Sequence, residues 1–278
     1  MSAWKSELAA AVGAKVASAE PVSGGDINDA YRVRLDDKRV VFVKTHAAPP
    51  PGLFRAEAHG LDWLRGGALR VPAVIAAGDA FLALEWLDTS PRARGFDEAL
   101  GRGLAELHQR GTDAFGLDAD NYLATLVQHN ARSADWPALY IDQRVRPVCR
   151  EAHARGRMPD VGAQLDALLA RRDRFGPPEP PARLHGDLWW GNVIAVGGAP
   201  VIIDPAVYGG HREVDLAMLA LFGGVSATLL AAYEERVPLA PGWRDRVPLY
   251  QLYPLAVHAR LFGGGYGSQV ARIVDALV

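Results

Sequence analysis

His185-Gly186-Asp187-Leu188-Trp189-Trp190-Gly191-Asn192, followed by Val201-Ile202-Ile203-Asp204, is the stretch on which the reading of this chain turns. Asp187 and Asn192 stand five residues apart, and Asp204 closes an apolar run that predicts a short strand. Phosphoryl transfer requires this combination. One carboxylate orients the acceptor hydroxyl and receives its proton, while an amide oxygen and a second carboxylate hold the Mg²⁺ that neutralises phosphate charge. Taken singly, each residue has an ordinary explanation, because Asp after a strand is commonly a turn or a helix cap. The spacing of all three makes Asp187 the expected catalytic group and Asn192 and Asp204 the expected metal ligands.

Upstream, the chain predicts a small sheet. Residues 4–17 suggest a helix, residues 30–35 and 39–45 a hairpin, and residues 53–65 a second helix with Phe54, Ala58, Leu61 and Leu64 at helical spacing. Residues 71–75 and 81–87 suggest two more strands. Lys44 ends the β-prone run Val40-Val41-Phe42-Val43-Lys44, and Glu57 lies thirteen residues on, in the following helix. A strand lysine paired with a helix glutamate is the arrangement that grips nucleotide phosphates in kinases. Gly24, Gly25 and Asp26 form a turn before the first hairpin strand, where bare backbone N–H groups can approach phosphate. The backbones of Glu85 and Leu87, at the end of the last small-lobe strand, are the expected contacts to the adenine edge.

Beyond that point the character changes to helical. Helices are expected at 96–110, around 121–130, 136–156 and 160–174, and again at 213–236, 242–262 and 267–277, with Pro177-Pro178-Glu179-Pro180-Pro181 as a stiff linker. The expected division is residues 1–86 for a nucleotide-binding lobe and 87–278 for a catalytic and acceptor-binding lobe. The fold class is α+β.

Composition narrows the partners. A net charge of −2 and a pI near 6.4 offer no basic surplus for nucleic acid. No apolar run reaches the length of a membrane span, and the first twenty residues carry charges that a signal peptide lacks. The cytoplasm is therefore the expected compartment. A single cysteine, Cys149, rules out an intramolecular disulfide and a cysteine-based zinc site.

The order is glycine turn, strand Lys, helix Glu, hinge, His-Gly-Asp with Asn five residues on, then Asp. It resembles the protein-kinase-like fold in its aminoglycoside and choline kinase branch. Ser23-Gly24-Gly25-Asp26-Ile27-Asn28, Leu84-Glu85-Trp86-Leu87, Leu184-His185-Gly186-Asp187-Leu188-Trp189, Ile203-Asp204-Pro205-Ala206, residues 210–218 and Leu249-Tyr250-Gln251-Leu252-Tyr253 are similar to the fructosamine kinase family, the ketosamine 3-kinases. That resemblance, covering about residues 20–266, implies a two-lobed fold and an ATP- and Mg²⁺-dependent kinase. The implied acceptor is the 3-hydroxyl of a free or protein-bound ketosamine, and the implied outcome is release of the glycated amine. It also implies that Asp215 hydrogen-bonds the catalytic-loop backbone and that Trp189 lines the acceptor site. Three departures fall on the acceptor side: Trp190 in a slot usually small or polar, Gly209-Gly210 in place of Tyr-Gly, and no Gly within Asn121-Tyr122-Leu123-Ala124-Thr125-Leu126. No Cys stands in the glycine turn, so a monomer is expected. Two rivals remain open: a kinase of an aminoglycoside, choline or free sugar, and a nucleotide-binding pseudokinase module.

Overall fold

The computed structural model describes residues 3–22 and 28–278, so the turn at Gly24, Gly25 and Asp26 lies outside the described residues. Helix α1 (Ala3–Val12) precedes strands β1 (Val16–Pro21), β2 (Asp29–Leu35) and β3 (Val40–Thr45); helix α2 (Leu53–Leu64) and strands β4 (Val74–Ala77) and β5 (Phe81–Glu85) follow. The five strands form one antiparallel sheet in the order β1-β2-β3-β5-β4. Alternation along β3 sends Val41 and Val43 to the face that buries Leu8 of α1. Phe42 and Lys44 share the opposite face, towards α2. On α2, Phe54, Glu57 and Leu61 fall at helical spacing, so Glu57 belongs to the buried stripe.

Three local expectations fail here. The helix over 4–17 stops at Val12, where Gly13 takes a left-handed φ of 70°, and an edge strand fills the rest. The strand expected at 71–75 begins at Val74, because Pro72 has no N–H for the ladder. The strand expected to reach Leu87 ends at Glu85.

The remaining chain is mostly helical. It runs through α3 (Phe96–Gln109), the short hairpin β6 (Asn121–Leu123) and β7 (Leu126–Gln128), and α4 (Trp136–Ala138). A π-helical stretch (Leu139–Val145), α5 (Arg146–Ala154), α6 (Gly162–Ala170) and strand β8 (Ala182–Leu184) come next. The hairpin β9 (Val193–Val196) and β10 (Ala199–Ile202), strand β11 (Tyr208–Gly210) and helices α7 (Glu213–Leu221), α8 (Ala227–Glu234), α9 (Trp243–Phe262) and α10 (Tyr266–Leu277) complete it. One continuous core joins Leu82 and Leu84 of the sheet to α2, α3, α7 and α9. The helix expected at 213–236 is broken at Gly223-Gly224, both with positive φ.

The helix expected at 121–130 is instead the β6–β7 hairpin. Leu123, Leu126 and Val127 mimic a helical stripe, but Asn121 and Gln128 are buried and hydrogen-bonded across the hairpin. Ala124 turns the chain with φ 57°, a conformation that costs an L-residue about 1–2 kcal/mol. Ala124→Gly is therefore expected to raise stability by about 0.5–1 kcal/mol after its larger unfolded-state entropy is subtracted. Urea melts of the two proteins measure this, and an unchanged or lower midpoint contradicts it.

Candidate active site

Two hairpin-like connections assemble the site. β9 and β10 are joined by Gly197-Gly198, with φ of 57° and 82°, the positive pair that a tight two-residue hairpin turn demands. The hairpin returns the chain to its start, so Asn192, just before β9, meets Asp204, just after β10. Ile203 N–H donates to the Asn192 carbonyl at 3.0 Å. β8 pairs with β11 and releases the chain at Leu184 into the His-Gly-Asp loop. There Gly186 has φ 82°, and a Cβ would lie 2.0 Å from the Ala206 carbonyl oxygen. No other residue fits between the loop and the segment carrying Asp204.

The side chains converge on one cleft. Asn192 Nδ2 donates to the Asp187 carbonyl at 2.8 Å and to its carboxylate at 3.2 Å. From the sheet, Lys44 Nζ reaches Glu57 Oε1 at 2.6 Å and Asp204 Oδ1 at 2.8 Å. The structure thus brings together Lys44, Glu57, Asp187, Asn192 and Asp204. Asp204 holds a left-handed φ of 55°, a strained conformation of the kind that clusters at working sites. Burial pushes the Asp187 carboxyl up, the Asp204 charge adds to this, and it titrates at about 7 instead of 3.8. Burial alone would depress the Lys44 ammonium, but Asp204 and Glu57 outweigh it and hold Lys44 above its ordinary range. Glu57 is raised by its burial, with Lys44 pulling the other way.

Asp215 lies on α7, wholly buried. Its carboxylate accepts from His185 N–H at 2.8 Å, Gly186 N–H at 2.9 Å and His108 Nε2 at 3.2 Å. Burial works against its charge, yet these donors hold it below the ordinary carboxylate range. His185 is neutral by geometry as well as by burial, which depresses its pKa. Nε2 donates to the Ile203 carbonyl at 2.9 Å, and Nδ1 accepts from Asp187 N–H at 3.3 Å.

Other expectations meet mixed outcomes. Glu85 N–H is committed to the Ala73 carbonyl, so only its carbonyl is left to face an adenine, and its side chain holds Arg70 and Ala73 N–H. Leu87 follows on the connection out of the sheet. Trp189 is exposed beside Asp187. Trp190 does not narrow the cleft: its indole donates to the Gly224 carbonyl at 2.8 Å and lies under Arg92. Gly209 and Gly210 are buried in β11, paired with Arg183 and Ala182, so no pocket aromatic is replaced there.

The residues that the sequence reading missed support the site from behind. Gln128 donates to the Ala206 carbonyl at 3.1 Å and Asn121 to the Val207 carbonyl at 2.8 Å, fixing the segment just after Asp204. Asn130 links Asn121 to the fully buried Arg144, whose guanidinium lies 4.2 Å from the Tyr208 ring centre. Their trace in the sequence is three amides close together, Asn121, Gln128 and Asn130.

The donor set suits a hard cation. Asp204 and Asn192 supply oxygen ligands, and their cleft is acidic through Asp187. Among the described residues no three His, Cys, Asp or Glu form a self-sufficient metal cage. The arrangement fits an ion whose shell is completed by phosphate oxygens and water. No helix among the described residues is long and apolar enough to cross a membrane.

The sequence profile of the fructosamine kinase family matches residues 1–278. The probable ketoamine kinase of Enterococcus faecium is 40% identical over 264 residues, covering 92% of this chain and 93% of its own. That of Thermus thermophilus is 38% identical over 256 residues, with 92% of each chain covered. A Thermobifida fusca structure bearing the name fructosamine-3-kinase superposes with a TM-score of 0.89 at 41% identity, over 99% of this chain and 98% of that one. A macrolide 2'-phosphotransferase type I shares the fold alone, with a TM-score of 0.63 at 17% identity over 100% and 98% of the two chains. The kinase-like architecture, the converging cleft and the full-length match agree: this ATP-dependent phosphotransferase belongs to the fructosamine kinase family.

Proposed function

We propose that the protein transfers the terminal phosphoryl group of ATP to the 3-hydroxyl of a ketosamine, the first step in freeing a glycated amine. The observation that carries this is the cleft in which Asp187 stands beside Asn192 and Asp204 while Lys44 enters from the sheet. Asp187 orients the hydroxyl and accepts its proton. Its burial raises its affinity for that proton. Lys44, held by Glu57, turns to the nucleotide phosphates. Asn192 and Asp204 would hold magnesium, which supplies charge neutralisation on the transferring group. His185, Gly186 and Asp215 keep the loop rigid, so positioning rather than strong base catalysis supplies most of the rate. The acceptor is free or protein-bound, and the working unit is a monomer in the cytoplasm.

A coupled ADP-release assay tests the reading, with ribulosyl-, erythrulosyl- and fructosyl-lysine set against aminoglycosides and choline. Turnover of a ketosamine is expected; turnover confined to an aminoglycoside or choline overturns the acceptor. Lys44→Met is expected to lower kcat/KM for ATP by about 10²-fold or more, since it removes a phosphate contact used in the transition state. Glu57→Gln acts only through Lys44 and is expected to cost about tenfold. Steady-state kinetics at varied ATP decide it. A Glu57→Gln defect larger than that of Lys44→Met contradicts the pairing.

A further inference from the structure

Aromatic rings run in an unbroken series away from the cleft. Trp189 meets Phe222, the residue just after α7, edge to face at 6.3 Å. Phe222 lies 5.2 Å from His258 on α9, and His258 lies 5.6 Å from Phe262 and 5.1 Å from Tyr266. Four segments contribute: the catalytic loop, the turn out of α7, α9 and α10. The series is open to solvent at both ends, with Trp189 39% and Phe262 53% exposed, two of only five large hydrophobic side chains so exposed among the described residues. His258 is fixed in place, its Nδ1 donating to the Pro254 carbonyl at 2.8 Å. Isolated exposed apolar residues need no explanation, but a contiguous aromatic strip beginning two residues from Asp187 does.

Chemistry says what must pass over it. In a ketosamine the amine nitrogen is separated from the phosphorylated carbon by two carbon atoms, so with the 3-hydroxyl at Asp187 the amine substituent starts only a few bonds from the cleft wall. That wall begins at Trp189. Resting on the ketosamine reading above, we infer that Phe222, His258 and Phe262 form, with Trp189, a subsite for the amine's own substituent, and that this subsite selects an aromatic carrier over a bare amine or the flexible chain of a lysine in a peptide. Ring faces and edges of this kind stack best on a rigid planar group, whereas a lysine chain loses rotamer freedom when it is laid along them.

The test uses the whole protein with three ribulosamines: the unsubstituted amine, the benzylamine adduct, and an adduct on a lysine flanked by Gly and Ser in a short peptide. The expected result is kcat/KM about tenfold or more in favour of the benzyl adduct over each of the others, the scale of one good aromatic contact. In Phe262→Ser and Phe222→Ala that ratio should fall towards one. The ratio is the readout, so partial loss of folded enzyme does not imitate the effect. Turnover of all three substrates without benzyl preference, a preference for the peptide, or a ratio unmoved in both variants overturns the subsite and leaves the ketosamine reading standing. Turnover of none of them overturns both.

Discussion

Asp187→Asn is expected to lower kcat by about 10²-fold or more, the scale of one general acid–base contribution, while KM for ATP changes little. The same substitution should make the metal-free protein more stable. The Asp187 carboxyl titrates at about 7 in the folded chain against 3.8 ordinarily, so the native state holds a proton that the unfolded chain has released between those values. For a raised pKa the stabilising contribution is present at low pH and is lost as pH rises through the folded value. Asparagine carries no such penalty. The gain in melting temperature should be small at pH 4 and should grow towards pH 8. A variant with full kcat removes Asp187 from proton transfer, and a melting gain that shrinks with rising pH contradicts the buried charge.

Asp204→Ala is expected to reduce turnover by about 10³-fold or more, a loss that excess Mg²⁺ does not restore, because a hard ion with few protein ligands cannot spare a carboxylate. Initial rates across a magnesium titration measure this. Recovery to near wild-type rate at high Mg²⁺ would mean that Asp204 tunes affinity only. Lys44 should remain folded in place in this variant, since Glu57 still holds it at 2.6 Å. The lost activity is therefore separable from collapse of the sheet.

What was legible in the sequence was local. Asp187 and Asn192 sit on one loop, and the strand leading to Asp204 is a plain apolar run, so linear spacing carried their grouping. Lys44 and Glu57 were legible because a strand ending and a helical stripe each have a period. Contacts with no local trace stayed hidden. His108 and Asp215 are 107 residues apart, and nothing beside either announces the other. β1 went unread, its first two residues taken as the end of a helix, because its exposure does not alternate, as befits a sheet edge. The β6–β7 hairpin was read as helix because its turn is Ala124-Thr125, without the Gly or Asn that usually marks one. Trp190 was assigned to the cleft from its neighbours in sequence, but the short helical turn Trp190–Asn192 points its indole at the α7–α8 connection.

The bond between Lys44 and Asp204 means that a cation on a tether already sits where, in the proposed function, a divalent ion would be held. Such a tether gives the ammonium a high local concentration that no dilute ion matches without help. Stray divalent cations would thereby be outcompeted at an empty cleft. Nucleotide changes the contest, because its phosphates give the lysine somewhere else to go and bring oxygens that complete a metal shell. The carboxylate is then vacated at the moment its new occupant arrives. Loading would then be an exchange of partners in which metal and nucleotide favour each other's entry.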